Sequence, residues 1–275
     1  LACNIDSGEA LVLRIIVCVK EVPDLAQVRF KSDGRTPMLE GLPVRLGAFD
    51  KNALEEAVLI RERLSEVEVI ALSVGSGNLK ETIKEALAIG ADRAVLVQDA
   101  GLENAGSEAV ARVLAAAIRR IGEWEICLLG EGSDDEYTGQ TPARVAAILD
   151  VAQVTNVRAM EVDSNGRVQA TRDFEQELEI VACDAPVVVS VTSELNTPRL
   201  PPLTAILKAG RKPVDVWSLA DLKIGADALQ RDPPDVEVLS NLAPQSSRKK
   251  VVLEGELDSQ IDELIRNLEH DGVLP

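Results

Sequence analysis

The sequence is short of the residues that most catalytic machinery uses. Of 275 residues one is a histidine, His270, and only 2% are aromatic. One histidine gives no plausible Ser–His–Asp constellation, and so few aromatic rings give no row of platforms for stacking bases. The four cysteines, Cys3, Cys18, Cys127 and Cys183, are scattered with no CxxC pair. That excludes zinc and iron–sulfur sites built on paired thiolates and fits a reducing, cytoplasmic setting. Positive charge is scarce as well: 29 Lys and Arg stand against 46 Asp and Glu, a formal net charge of −17. Nucleic acid and anionic membrane surfaces both demand clustered cations, so neither is expected as a partner. No window approaches the run of about 18 apolar residues that spans a membrane. No GxxxxGK[ST] loop is present, nor an HxGH or SGGxDS signature, so P-loop phosphoryl transfer and ATP-consuming ligation have no motif to stand on.

What the chain does contain is a core. Hydrophobic residues make up 46% of it, and they fall into alternating patterns. "LRIIVCVK" (13–20), "VEVIALSVG" (67–75), "RAVLVQD" (93–99) and "EWEICLLG" (123–130) are short, continuous apolar runs of the kind buried on both faces of a sheet. Between them lie stretches of helical spacing. The first, 51–64, is expected to be capped by Asp50, and the second, 79–90, by Asn78 with Gly90 as a left-handed stop. A third ends at Gly122, and "TPARVAAILDV" opens with Thr141 as N-cap and Pro142 at the first helical position. This alternation specifies an α/β fold with a doubly wound, mainly parallel, Rossmann-like sheet. After Thr155 the pattern changes. "VRAMEVDSNGRVQATRDF" alternates and turns at Asn165-Gly166, an antiparallel hairpin extension at about 156–174. From about 196 the chain is proline-rich and irregular, a long C-terminal arm that ends in an amphipathic helix. The opening "LACNIDSGEALVL" (1–13) reads as an upstream extension, since it lacks a basic n-region and a long apolar core.

Parallel doubly wound sheets bind ligands beyond the carboxyl ends of their strands. Here those ends carry Cys18, Val19 and Lys20, then Val74 and Gly75, then the loop "GEGSDDEYTGQTP" from Gly130 to Pro142. That loop is glycine-rich and leads into a helix whose free N–H groups can receive phosphate without a cationic side chain. It also carries four carboxylates. The expected division of labour puts the neutral half, Thr138-Gly139-Gln140-Thr141, at the phosphate. Of the acidic half, Asp135, the acid that fits the family patterns described below, is expected to face inward, and Glu131, Asp134 and Glu136 to face water. "GSGNLKE" (75–81) copies only the first half of a GxGxxG fingerprint and reads as an ordinary strand–helix turn. His270 reads as a helix C-terminal cation.

Several stretches together carry a family resemblance: "IIVCVKEVPD" (15–24), "FDKNALEEA" (49–57), "LSVG" (72–75) with "ETIKEALAIGADRAVLV" (81–97), and "LNTPRLPPLTAILKAGRKPVDVW" (195–217). In this order they resemble the electron transfer flavoprotein β subunit over nearly the whole chain. The 130s loop departs from the commoner G-R-Q-A-x-D-G-D-T-x-Q pattern and looks like the FixA-type branch, with its carnitine- and caffeyl-CoA-linked members. Gly130, Gly132, Ser133, Asp135, Tyr137 and Gln140 carry that match, and "KPVDVWSLADL" agrees with it. Gly47-Ala48 stands where the general family has Asn-Pro. The resemblance implies a heterodimer with an α subunit that carries one FAD, and a second adenine nucleotide on this chain: FAD in the bifurcating branch, AMP in the housekeeping branch. It places that nucleotide at Cys18, Val19, Lys20, Phe49, Asp50, Val74, Gly75, Thr82 and the residues from Gly130 to Thr141. Within that loop Gly130, Gly132, Ser133, Asp135, Tyr137, Thr138, Gly139, Gln140 and Thr141 are the candidates. The segment near 191–213 resembles a recognition loop for an acyl-CoA dehydrogenase or reductase, with Leu203 as anchor and Arg199 and Ile206 beside it. A bifurcating member would add NADH and ferredoxin or flavodoxin as redox partners. The implied organisation is 14–192 as the nucleotide-binding domain and 193–275 as docking loop, arm and a C-terminal helix packed on the α subunit. A stand-alone adenine-nucleotide-binding regulatory module is the alternative of another class.

Overall fold

The computed structural model describes residues 12–64, 66–77, 79–174, 176–225, 229, 239–244 and 249–274. The segment 1–11, most of the expected arm between 226 and 248, and the expected cap Asn78 lie outside the described residues. The chain begins with β1 (Leu13–Cys18) and four short strands, β2 (Glu21–Pro23), β3 (Arg29–Phe30), β4 (Pro37–Met38) and β5 (Val44–Leu46). Then α1 (Ala48–Arg63), β6 (Val67–Gly75), α2 (Lys80–Ile89), β7 (Arg93–Gln98) and α3 (Ser107–Ile121) follow. The second half runs β8 (Ile126–Gly130), α4 (Thr141–Leu149), β9 (Ala152–Val162), β10 (Val168–Asp173), β11 (Leu178–Cys183) and β12 (Val187–Val191). It closes with α5 (Leu203–Ala209), β13 (Val214–Trp217) and α6 (Leu257–His270).

Nine of these strands form one sheet in the order β11-β10-β9-β12-β8-β1-β6-β7-β13. Only the pairings of β10 with β9 and β11 are antiparallel; the remaining pairings are parallel. The mainly parallel α/β expectation therefore holds. Both faces are covered, as the unbroken apolar strands require. Ile15 and Val17 of β1 pack with Ala53, Leu54, Ala57 and Ile60 of α1 and with Ile83 and Leu87 of α2. Ile16 and Cys18, one residue out of step, pack on Ala111, Leu114 and Ile118 of α3 and Val145 of α4. The period of two along one strand thus feeds two separate cores.

Helix ends differ from expectation in ways the packing explains. The first residue of α1 is Ala48, two places before Asp50, and its N–H is received by Asp134 at 3.0 Å from the 130s loop. A distant carboxylate thus takes the capping role expected of Asp50, which is buried in the first turn. Similarly, α4 starts at Thr141 with Gln140 as N-cap, so Pro142 sits one place further in. Gly90 does follow α2, but its φ of 162° is extended, not left-handed. Glycine is required there because a Cβ would overlap the Val58 methyl Cγ2 of α1. The hairpin turn is as expected, with Gly166 at φ 79° and Asp163 Oδ1 accepting the Asn165 and Arg167 N–H groups at 2.8 and 3.0 Å. The proline-rich stretch after 196 is more ordered than its composition suggests: it holds α5, and β13 then joins the sheet edge beside β7.

The chain divides into two compact units, Leu1–Val28 with Leu39–Val238, and Arg29–Met38 with Leu239–Pro275. The first contains the sheet. In the second, the Ala243 N–H reaches the Arg35 carbonyl at 2.9 Å and Lys249 pairs with Asp271 at 2.5 Å, while Ile261, Leu264 and Ile265 of α6 are exposed.

The Gly90 contact gives a stability test. Gly90→Ala is expected to cost about 1–3 kcal/mol by overpacking, and Val58→Ala in the same chain to recover part of that loss. Urea unfolding of the single and double variants measures both; equal midpoints for wild type and Gly90→Ala would contradict the close approach.

Candidate functional site

The chain order reverses at β1. From there β6 and β7 extend the sheet one way and β8 and β12 the other, so the carboxyl ends of β1 and β8 flank a topological switch point. A cleft of about 130 Å3 opens there. Its floor is Cys18, Val19 and Lys20 from β1, Leu129 and Gly130 from β8, Val74 from β6 and Asp50 from α1. One wall is the start of α3, where Ala105, Ser107, Val110 and Leu114 line it. The other is the 130s loop and the first residues of α4. At the floor the Cys18 and Cys127 sulfurs touch at 3.7 Å, and that contact together with burial pushes the Cys18 thiol well above its ordinary value, so it stays protonated.

Asp50 ties the floor together. Its carboxylate accepts the Lys20 N–H at 2.7 Å and the Gly130 N–H, so one side chain bridges the ends of both strands. Burial pushes its pKa up to about 7, against the two backbone hydrogen bonds that favour the charged form; neighbouring Asp134 adds to the rise. The same carboxylate dictates two glycines: a Cβ at Gly47 would lie 2.7 Å from Oδ2, and one at Gly130 would lie 2.9 Å from Oδ1 and 2.6 Å from Phe49 Cβ.

The four acids of the loop all have partners within the chain, and two of them share one. Asp134 turns inward onto Ala48 and Arg45, contrary to its expected outward face. Asp135 holds Lys20 Nζ at 2.8 Å, with Glu136 at 3.5 Å. Desolvation pushes Asp135 up, but hydrogen bonds from Lys20 and Ser133 and the Lys20 charge outweigh it and hold the carboxyl below its ordinary value. Glu131 receives the Tyr137 hydroxyl at 2.8 Å, and both Glu131 and Glu136 line the cleft, again contrary to their expected outward faces. The loop's glycines serve its own packing as well. A Cβ on Gly132 would come within 2.6 Å of the Tyr137 ring, and Gly139 has φ 64°.

Twelve of the sequence-derived candidates meet at the cleft: Cys18, Val19, Lys20, Asp50, Val74, Gly130, Gly132, Ser133, Thr138, Gly139, Gln140 and Thr141. Phe49 and Tyr137 do not line it but pair with each other, ring centroids 5.7 Å apart. Asp135 acts on it through Lys20. Gly75 packs against Leu79, and Thr82 donates its hydroxyl to Glu21 away from the cleft. Sequence reasoning missed the start of α3. Ser107 donates to Gln140 Oε1 at 3.3 Å, which joins the N-termini of α3 and α4 side by side. The signal was available, since α3 follows the strand β7 that carries one more carboxyl end.

Residues 40–222 match the electron transfer flavoprotein domain family. The chain is also 31% identical over 263 residues, 95% of its length and 100% of the relative's, to the electron transfer flavoprotein subunit beta of Thermoanaerobacterium thermosaccharolyticum. The chain belongs to the electron transfer flavoprotein family, on the β-subunit side. Pro142 lacks an N–H and Arg144 donates its own to the Gln140 carbonyl at 3.0 Å, which leaves the Thr141 and Ala143 N–H groups in the first turn of α4. With the helix dipoles they form an anion-receiving end. Val74, Val110, Leu114 and Leu129 supply an apolar wall for a flat ring, and Glu131 and Glu136 supply acceptors for hydroxyls. Asp50 already occupies the Lys20 and Gly130 N–H groups, so an anion fits the α3–α4 end of this β-subunit cleft and not the α1 end.

Asp50 makes stability depend on pH. Its folded pKa lies near 7, above the ordinary 3.8, so the unfolded chain ionises first as pH rises. The stabilising contribution is complete below about pH 4, declines toward pH 7 and is absent above, a change of at most ~4 kcal/mol. Urea midpoints from pH 4 to 8 should show this decline in the wild type and not in Asp50→Asn. A difference between the two proteins that is flat across that range contradicts it.

Proposed function

We propose that the chain is the nucleotide-holding β subunit of a heterodimeric electron transfer flavoprotein, and that its switch-point cleft holds an adenine nucleotide, FAD in preference to AMP. The observation that carries this reading is the joining of two helix N-termini, α3 and α4, at one end of a cleft that has an apolar wall and carboxylates at its mouth. A pyrophosphate suits the donor end, and a polyol chain suits the carboxylates of the loop mouth. The FixA-type motif of that loop favours FAD. The chain itself makes and breaks no bonds: it orients the nucleotide, excludes water through Val74, Leu114 and Leu129, and carries a docking surface. Bound FAD would supply redox chemistry, including hydride acceptance from NADH in a bifurcating member, with ferredoxin or flavodoxin as low-potential acceptor. The α subunit, with its own FAD, is the constitutive partner, and the complex acts in the cytoplasm.

For docking, an acyl-CoA dehydrogenase or reductase is the proposed partner. Leu200, Leu203 and Leu207 are 93, 70 and 70% exposed, with Ile206 beside them at 40%. Such a row of apolar side chains among prolines has the makings of an interface hot spot.

Two measurements test these readings. Co-expression with the neighbouring α-subunit gene, followed by a visible spectrum and identification of the acid-released nucleotides, is expected to give two FAD per heterodimer. One FAD plus AMP replaces the FAD reading of this cleft with the AMP one; a colourless chain that forms no complex overturns the proposal. Leu203→Ala is expected to raise KM for at least one member of a panel of acyl-CoA dehydrogenases by about tenfold or more without changing nucleotide content. Unchanged KM across the panel would remove the docking reading alone.

A further inference from the structure

The exposed apolar stretch 200–207 is fastened at both ends by polar contacts that are partly buried, and one of its clamps uses a residue that sequence reasoning gave to the partner. At the N-terminal end Arg199 is fully engaged within its own chain. Its Nε and NH2 groups fork onto both oxygens of Glu55 at 2.8–3.0 Å, and its NH1 reaches Glu62 at 2.6 Å. Its backbone N–H also donates to Glu55, at 3.1 Å. Glu55 and Glu62 lie two turns apart on α1, and the Glu55 side chain is only 5% exposed. Their hydrogen bonds, with the paired charges, hold the Arg199 guanidinium well above its ordinary pKa. Three residues earlier, Asn52 and Asn196 exchange side-chain-to-carbonyl hydrogen bonds at 2.8 and 3.1 Å, and Asn196 also donates to the buried Glu56.

The C-terminal end is fastened to a different helix. Ala209 is buried, and Lys212 Nζ donates to the Leu87 and Ala91 carbonyls at the end of α2, at 2.9 and 2.6 Å. A cation at these carbonyls also meets the negative end of the α2 dipole. Between the two clamps lies Leu200, the most exposed leucine among the described residues, together with Leu203 and Leu207.

We propose that Arg199 and Lys212 are positioning residues that clamp the 200–208 arch onto α1 and α2, presenting Leu203 and its neighbours in a fixed conformation, and that neither cation contacts the docking partner. A surface held in its bound conformation loses less entropy on association than a free loop. This inference rests on the docking reading above for its functional half only; the clamping itself is decided without a partner.

Glu55→Gln/Glu62→Gln loosens the first clamp and leaves Arg199 in place with its charge. Lys212→Met loosens the second and keeps the apolar stem. In the purified heterodimer, trypsin is expected to cut after Arg199 and Lys208 at least tenfold faster in each variant, with the nucleotide content unchanged. Global unfolding, followed by circular dichroism, separates local release from general destabilisation; Arg199→Lys, which keeps charge and loses the fork, serves as a second variant if the double substitution fails to fold. With the dehydrogenase that responds to Leu203→Ala, KM is expected to rise about tenfold at unchanged kcat in the Glu55→Gln/Glu62→Gln variant. Adding Leu203→Ala should raise it little further, because the clamp acts through that residue. The proposal is overturned if trypsin cuts wild type and variants alike, or if Arg199→Ala raises KM while the glutamine variant leaves it unchanged. If Leu203→Ala itself has no effect on any dehydrogenase, the docking reading fails and the trypsin result still decides the clamp.

Discussion

The Asp50 carboxylate is the contact on which the rest of the site depends. It crosses the one place where chain order reverses in the sheet, holding the ends of β1 and β8 through the Lys20 and Gly130 N–H groups. A neutral side chain of the same shape could receive only one of these donors without setting an amide against the other. The carboxylate sits buried, at a cost reflected in its raised pKa, and its two oxygens exclude a Cβ at Gly47 and Gly130. Cleft floor, loop start and first turn of α1 therefore share one constraint. Because those N–H groups are already satisfied, an anionic ligand has its best donors at the opposite end, under α3 and α4.

Around that contact the acidic 130s loop is an internal framework. Asp134 caps α1, Asp135 holds the Lys20 ammonium and Glu131 holds the Tyr137 hydroxyl. With Glu136 also paired to Lys20, all four carboxylates are engaged within the protein, which removes the apparent conflict between a negative loop and an anion-binding helix start. The loop is rich in glycine for a similar internal reason: Gly130 and Gly132 must clear Asp50 and Tyr137. Glycine content alone would have credited the ligand with what the fold requires.

The helix α1 connects this cleft to the base of the exposed 200–207 stretch. Its first turn carries Asp50, and its next three turns carry Asn52, Glu55, Glu56 and Glu62, which hold the 193–199 segment. Buried carboxylates are costly unless paired and hydrogen-bonded, so Glu55 and Glu56 fix where Arg199 and Asn196 must lie. The long segment that composition marks as irregular is thereby held between two strands of one sheet, β12 and β13.

What the sequence by itself determined is everything carried by short-range pattern. Apolar runs of five to nine residues alternating with helical spacing specified the parallel sheet, and Asn165-Gly166 specified the hairpin, because period and turn chemistry are local properties. Strand ends could be located from the same pattern, which is why eleven of the twelve candidates that meet at the cleft lie at or beyond such ends, while Asp50 came from the family resemblance. Only the tertiary structure decided which polar group meets which. Asp134 and Ala48 are 86 residues apart, and Arg199 and Glu55 are 144 apart; nothing in local periodicity distinguishes a capping carboxylate from a solvated one. The same holds for the start of α3, for Gly90, and for α5 hidden among prolines. Their roles come from what packs beside them, and burial makes each of those pairings obligatory.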